Sequence, residues 1–250
     1  MEKSATLFIL LIISHVITDF FFQSDSIVAS KNGKQWKSTG LYMHALCAGL
    51  FCYIAFLIIK DWEQWLIPTI VTVSHFFIDW GKTYFKNKSI AKFVIDQLLH
   101  ILVIVICWIT YTAQTDIIIT LLSALQQQNT LLIILAFLLV VKPAGIFIKT
   151  ILDYVNGIQG ERWNNYIEQL ISGKQGLEKA GRWIGYLERI LILCFILLKY
   201  YEGIGFLLAA KSIFRFGELT KIQERAYTEY ILIGTLLSFT IALFIGLIIH

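Results

Sequence analysis

Histidine and carboxylate side chains stand one helical turn apart in strongly apolar parts of this sequence. On an α-helix, positions i and i+4 lie on the same face, so each such pair presents a nitrogen and an oxygen donor together. These donors suit Zn²⁺ or another divalent ion, with each carboxylate serving as a ligand, as a catalytic base or as the partner that orients its histidine. Three such pairs occur: His15 with Asp19, His75 with Asp79 and, in reverse order, Asp96 with His100.

His44 adds a fourth histidine, so that four of the five histidines fall in four successive apolar segments. Ionisable groups inside a bilayer are costly and usually face a bundle interior or each other. Three interpretations follow from the residues: a metal site, a proton or ion relay, and hydrogen bonds that merely hold helices together. Because the pattern repeats over several helices, we predict a metal site, with zinc as the expected ion.

The composition indicates a polytopic membrane protein. The chain has 250 residues, of which 57% are hydrophobic and only 15% charged, and its mean hydropathy is +0.71. A span needs about 20 apolar residues, so a chain of this length and composition accommodates many. In a membrane protein, the excess of basic residues behind the net charge of +4 sets the orientation of the spans in the membrane. It does not indicate a nucleic-acid partner.

We predict an all-α transmembrane bundle of about eight segments. The seventh is short and carries Lys211 and Arg215, so it is the candidate for a half-span. We expect a four-helix unit over residues 1–112 and a second unit over 113–250, with a polar linker near 153–182. The predicted segments are Ala5–Phe22, Gly40–Ile59, Trp65–Trp80, Phe93–Tyr111, Thr130–Ile148, Trp183–Leu198, Gly203–Phe216 and Tyr230–Ile249.

Loop charges predict the orientation of these segments. Lysines are frequent in residues 31–37 and 82–92, whereas residues 112–129 contain no Lys or Arg. Cytoplasmic loops carry the excess of basic residues, so the first two ranges should be cytoplasmic. The carboxylates and His44 then share a shallow level near the cytoplasm. The other three histidines lie about 6 Å deeper, one helical turn at 1.5 Å per residue, with His44 at the entrance.

Further polar residues complete the expected site. Gln23 follows Asp19 by four residues and extends the same face, whereas Gln97 is adjacent to Asp96 and is expected to pack elsewhere. Arg189, Lys211 and Arg215 are candidates for binding an anionic head group. An unpaired buried carboxylate is expensive, so we also expect Glu188 to pair with one of the last two.

The stretches HVITDFFFQ, SHFFIDWGK and DQLLH, with the lone His44 between them, resemble a bacterial membrane family catalogued as domain of unknown function 3307. The resemblance covers about Leu7–Tyr111. The later GRWIGYLERILI, AAKSIFRFGEL and EYILIGTLLS are similar to the C-terminal region of some members. The resemblance implies a bacterial inner-membrane location and carries no established activity. A more distant similarity of His and Asp arrangement links the chain to membrane-bound metal-dependent hydrolases.

These observations together predict metal-dependent hydrolysis of an ester or phosphoester, with a membrane lipid as the expected substrate or partner. Asp19, Asp79 and Asp96 are the candidates for the catalytic base. The alternatives are a proton or divalent-cation carrier, which needs a polar path to the far side, and a membrane scaffold without chemistry. The apolar outer halves of the segments, such as Phe51–Ile59, argue against a through-path. The sequence does not determine the oligomeric state, and an oligomer is compatible with it.

The orientation can be tested by cysteine accessibility. A cysteine at position 34, in a background without the native cysteines, should be labelled only after the membrane is permeabilised, whereas one at position 120 should be labelled in intact cells. Labelling of position 34 from outside intact cells would contradict the predicted orientation and show the opposite one.

Overall fold

Every regular element in the described part of the chain is helical. The computed structural model describes residues 2–84, 89–113, 130–159, 175–216 and 222–249. A five-residue π-helical turn, Ile17–Phe21, follows the first helix, and a short 3₁₀ turn, Gln35–Lys37, follows the second. The α-helices are α1 Glu2–Val16, α2 Asp25–Lys34, α3 Thr39–Ile58, α4 Leu66–Thr83, α5 Ile90–Thr112, α6 Thr130–Gln159, α7 Gln175–Leu197, α8 Tyr201–Phe216 and α9 Ile222–Ile249.

Five of the described helices are long and apolar enough to cross a membrane by length and composition. The eight predicted segments therefore reduce to five on this criterion. The polar residues of α4 and α7 lower their hydropathy, and α8, with 16 residues, is shorter than a full span. The five candidate spans are Lys3–Phe21, Thr39–Ile58, Ile90–Thr112, Thr130–Val155 and Ile231–Ile249.

The chain divides into two compact units, Met1–Leu138 and Leu139–His250. The sequence suggested a division after residue 112, whereas the observed division falls within α6. The first turns of α6 belong to the first unit because Leu131, Leu135 and their neighbours pack against Ala5, Ile9 and Ile13 on one face of α1. Apolar burial of this kind stabilises by about 25 cal/mol per Å².

The core of the first unit joins α1, α3, α4 and α5. Leu7, Leu11 and Phe56 are nearly inaccessible there, and Trp108 packs edge-on against Phe8. The Trp108 indole Nε1 donates to the backbone oxygen of Ser4 at 2.8 Å, which satisfies its polar atom in an apolar setting. This core lies at one end of the four helices and holds them at the spacing that the polar residues at the other end require.

Helix α2 forms in a stretch where the sequence analysis placed only a charged loop. Ser24 caps it by accepting a hydrogen bond from the Ile27 backbone nitrogen, and the Ser30 and Ser38 hydroxyls are 2.8 Å apart. These contacts fix the short helix beside α3. They also bury the side chain of Lys31, although lysine is rarely buried without a partner.

The second unit has its own core, in which Ile192 and Ile196 of α7 pack against Phe239 and Ala242 of α9. The expected ion pair is confirmed: the Lys211 Nζ lies 2.5 Å from Glu188 Oε2. A carboxylate next to an apolar core is thereby neutralised by an ammonium group of α8.

Gly49 allows α3 to approach α4 closely, and its replacement provides a test of this packing. A Cβ at position 49 would collide with the Thr72 side chain and lie 3.0 Å from the Pro68 backbone oxygen. Gly49→Ala should therefore lower the free energy of unfolding by about 1–3 kcal/mol, as overpacking does. Gly81→Ala in α4 is the control, because nothing lies within 4 Å of its Cβ, and helix propensity predicts a gain of about 0.5–1 kcal/mol. Thermal unfolding in detergent measures both, and equal melting temperatures for the two variants would contradict the close approach.

Candidate metal centre

Four histidines from four helices meet in the first unit, as predicted. The ring centroids of His75 and His100 are 4.2 Å apart, those of His15 and His100 are 5.2 Å apart, and those of His44 and His75 are 4.9 Å apart. All four rings are buried. The expected convergence of His15, His75 and His100 on one level is therefore confirmed.

His44 lies inside the cluster, so its predicted position at an entrance was wrong. Its side chain is fully buried. Its Nε2 lies 3.1 Å from His75 Nε2 and 3.1 Å from the Gln23 amide nitrogen. Depth along the helix axis did not predict this position, because the ring of His44 extends far enough to reach a histidine of the next layer. Gln23 does extend the site, as expected from its spacing to Asp19.

The π-helical turn Ile17–Phe21 positions Asp19. Such turns are rare in proteins overall, and many of those that occur lie at functional sites. The Thr18 hydroxyl donates to the Ser14 backbone oxygen at 2.8 Å, one helical turn back. Asp19 Oδ1 then lies 3.2 Å from His75 Nε2, 3.4 Å from His44 Nε2 and 3.8 Å from His15 Nδ1. One carboxylate oxygen thus faces three imidazole rings.

Asp79 is paired with Lys31, which the sequence analysis treated only as a loop charge. The Lys31 Nζ donates to Asp79 Oδ2, and both side chains are buried. Burial lowers the pKa of Lys31 from its usual value, and the neighbouring Asp79 carboxylate opposes that shift. The same Oδ2 lies 3.5 Å from His44 Nε2 and 3.9 Å from His75 Nε2, so it faces the histidines and the lysine at once.

Asp96 has a similar arrangement with Lys82, whose Nζ donates to Asp96 Oδ2. Gln97 also belongs to the site, contrary to the expectation that it packs elsewhere. Its amide nitrogen lies 3.2 Å from Asp96 Oδ2 and 3.4 Å from Asp19 Oδ2, and its Oε1 lies 3.2 Å from His15 Nε2. Gln97 is a neighbour of Asp96 in sequence, but its long side chain spans the angle between their helix faces.

The ring of His100 is held in one tautomer. Its Nδ1 lies 2.8 Å from the Asp96 backbone oxygen, and a carbonyl can only accept, so Nδ1 carries the proton. In the neutral ring Nε2 then bears the lone pair, and this atom is buried without a hydrogen-bond partner. Asp19 Oδ1 and Asp96 Oδ1 are also buried without a hydrogen-bond partner. Buried polar atoms are rarely left so, and each costs about 1–3 kcal/mol unless it binds something.

These residues form three overlapping groups that could each hold a metal ion, with one ligand atom per residue and all such atoms within 4.8 Å of one another. The group with Asp79 consists of buried residues on α3 and α4. The three groups are His44, His75 and Asp79; His15, Asp19 and His75; and Asp19, Asp96 and His100.

A small cavity adjoins the histidines, with room for a water molecule. His15, His75 and His100 line it together with the hydroxyls of Ser14 and Ser74. The remaining lining is apolar: Leu11, Ala48, Cys52, Val71, Val103 and Ile104. The cavity therefore has one polar wall and does not continue as a polar path into the core.

The candidates for head-group binding belong to the second unit. Arg189 is buried: it donates to the Val140 and Val141 backbone oxygens, the latter at 2.9 Å, and to Ser238 Oγ at 3.1 Å. Val140 and Val141 lie three and two residues before Pro143, which is inside α6. Lys211 is paired with Glu188, and the side chain of Arg215 lies outside the described residues.

A comparison with protein-family models finds one that matches residues 7–141, and its description is protein of unknown function, DUF3307. The matched range contains every residue of the histidine and carboxylate cluster. No curated protein and no solved structure matches the chain. Since the family model covers more than half of the sequence, the chain belongs to the DUF3307 family.

Proposed function

We propose that this protein is a polytopic membrane protein of the bacterial inner membrane whose first unit holds a divalent metal ion, with zinc as the expected ion. The observation that carries the proposal is the spacing of His44 Nε2, His75 Nε2 and Asp79 Oδ2, which are 3.1, 3.5 and 3.9 Å apart. Tetrahedral zinc with bonds of about 2.0–2.1 Å sets its ligand atoms about 3.3–3.4 Å apart.

Hydrogen bonding between helices accounts for this arrangement less well than a metal site does. A purely structural cluster would pair its donors with its acceptors, whereas Asp19 Oδ1, Asp96 Oδ1 and His100 Nε2 are left without a hydrogen bond. These are atom types that bind metals. The scaffold interpretation therefore leaves Asp96 Oδ1 and His100 Nε2 without a partner, and both atoms belong to the ligand group of Asp19, Asp96 and His100.

The charges of the cluster also favour a bound cation. Three carboxylates face two ammonium groups, those of Lys31 and Lys82, so with neutral histidines the described cluster has an excess of one negative charge. A divalent cation more than offsets this excess, to a net charge of +1, without protonating the histidines, which then stay available as ligands.

The activity that we propose is hydrolysis of an ester or phosphoester. His44, His75 and Asp79 would hold the metal, which when bound would supply Lewis-acid activation of a water molecule and of the substrate. Asp19 Oδ1 lies 3.2 Å from His75 Nε2 and 3.4 Å from His44 Nε2, so its carboxylate is the one that accepts the proton of the water. His15, 3.8 Å from Asp19, and Gln97 orient that carboxylate.

The substrate is expected at the cytoplasmic surface, because the loop charges predict that Lys31 and Lys82 lie near it. The Lys82 side chain is 44% exposed, which makes it the most accessible of the charged groups described in the cluster. Membrane lipids are the esters and phosphoesters available at that depth, and a basic residue at the surface attracts their anionic head groups.

A proton or divalent-cation carrier is the alternative, and the close succession of imidazole rings favours it. His44, His75, His100 and His15 form a continuous set of neighbours along which a proton could move. However, transport needs polar groups on the far side, and Leu7, Phe56 and Trp108 fill the core of the described four-helix unit there. Metal-dependent flux into proteoliposomes would favour the carrier over the hydrolase.

Removal of His75 should abolish metal binding. His75 contributes to two of the three ligand groups, so His75→Ala leaves no complete set at the proposed position. The purified variant should hold less than a tenth of the zinc in the wild-type protein, measured by mass spectrometry of the metal, and should lose hydrolysis of p-nitrophenyl esters and phosphoesters. Thr69→Ala on the same helix and His250→Ala should retain both. Full zinc content and activity in His75→Ala would contradict the proposal.

Replacement of Asp19 separates catalysis from metal binding. Asp19→Asn keeps the shape of the side chain but cannot accept a proton, so kcat should fall about 10²–10⁴-fold while the zinc content stays within twofold of wild type. Asp61→Asn is the control, since Asp61 accepts a hydrogen bond from the Tyr111 hydroxyl at 2.5 Å and takes no part in the cluster. Loss of zinc together with activity would make Asp19 a ligand, and unchanged activity would exclude it as the base.

A further inference from the structure

Lys31 shares an oxygen atom with the proposed metal site. Its ammonium group binds Asp79 Oδ2, and that oxygen is the one that faces His44 and His75 at 3.5 and 3.9 Å. A metal–oxygen bond of about 2.0–2.2 Å at Oδ2 would bring the ion close to the ammonium group. Two cations at that separation in a buried place repel strongly.

We infer that Lys31 competes with the metal for Asp79, and that α2 covers the site while the lysine is bound and moves away when the metal takes its place. The inference rests on the proposed metal site and describes how binding of the metal at that site is regulated. Lys31 is suited to this role because its ammonium group is a compact point charge on a flexible side chain. It can therefore release the Asp79 carboxylate without breaking the rigid two-point contact that an arginine would make.

Few polar contacts of helix α2 would remain if the Lys31 ion pair opened. It is 10 residues long, it is flanked by Ser24 and by the 3₁₀ turn at Gln35, and most of its residues are exposed. Outside the Lys31 contact, its described polar attachment to the rest of the unit is the pair of hydroxyls on Ser30 and Ser38. The ion pair with Asp79 is therefore the main polar contact between this helix and the buried cluster.

Lys82 provides a matched comparison. It makes the same kind of ion pair, with Asp96, but Asp96 is not part of the group formed by His44, His75 and Asp79. Lys82 also extends from α4 itself, so its release would free no separate element. A simple excess of positive charge near the site would act through both lysines, whereas competition for one oxygen acts through Lys31.

Zinc titration of the full-length protein in lipid nanodiscs tests the inference. Lys31→Met removes the charge and keeps the length of the side chain, and it should tighten zinc binding at least tenfold. Lys82→Met should change the Kd less than threefold, and Lys31→Arg should bind no tighter than wild type. Tenfold tighter binding in Lys82→Met instead would overturn the inference and move the metal to Asp96.

Hydrogen exchange tests the movement without any substitution. Zinc added to the wild-type protein should increase amide exchange in residues 25–34, and it should not do so in residues 39–58 of α3. Equal zinc affinity in wild type and Lys31→Met, or unchanged exchange in α2 on zinc binding, would overturn the role of Lys31 and leave the metal site standing. Absence of zinc binding in the wild type and in both methionine variants would overturn the metal site as well.

Discussion

The structure of the first unit depends on accommodating three carboxylate side chains inside an apolar helical bundle. An isolated buried charge is unfavourable by several kcal/mol, so each carboxylate needs its own compensation. Asp79 and Asp96 obtain it from lysines, and Asp19 lies against three imidazole rings. This requirement explains why four helices bring polar residues to one level and why the rest of their contacts are apolar: the core around Trp108 supplies the free energy that holds the polar level together.

Much of this arrangement could be predicted from periodicity. The spacing of His15 to Asp19, of His75 to Asp79 and of Asp96 to His100 indicated which faces point inward, and the helical ladder transmits that information directly. The lysines were not predictable in the same way. Lys31 reaches Asp79 across 48 positions of sequence, through a short helix whose existence depends on caps and tertiary packing, and local patterns contain no signal for that contact.

Side-chain length accounts for the other two differences. Gln97 was placed by the direction of its Cα–Cβ bond and His44 by its depth along the helix, and both criteria predict contacts well only for short side chains. Gln97 has three rotatable bonds and spans the gap between neighbouring faces, and the His44 ring extends past its own helical turn. In the second unit the prediction for Glu188 succeeded because a single cationic side chain, that of Lys211, was enough to satisfy it.

The π-helical turn at Ile17–Phe21 has a consequence for how this sequence can change. A π turn closes its hydrogen bonds over one residue more than an α turn, so it behaves as a single-residue insertion in an otherwise regular helix. Because the turn ends the first helix, loss of a residue from it would let α1 end with regular α-helical hydrogen bonds and would turn the residues that lead into Gln23 by about 100°, the angle per residue of an α-helix. Substitutions in the turn are thus easier to accommodate than a change in its length, and length should be the more constant property wherever Asp19 keeps its position.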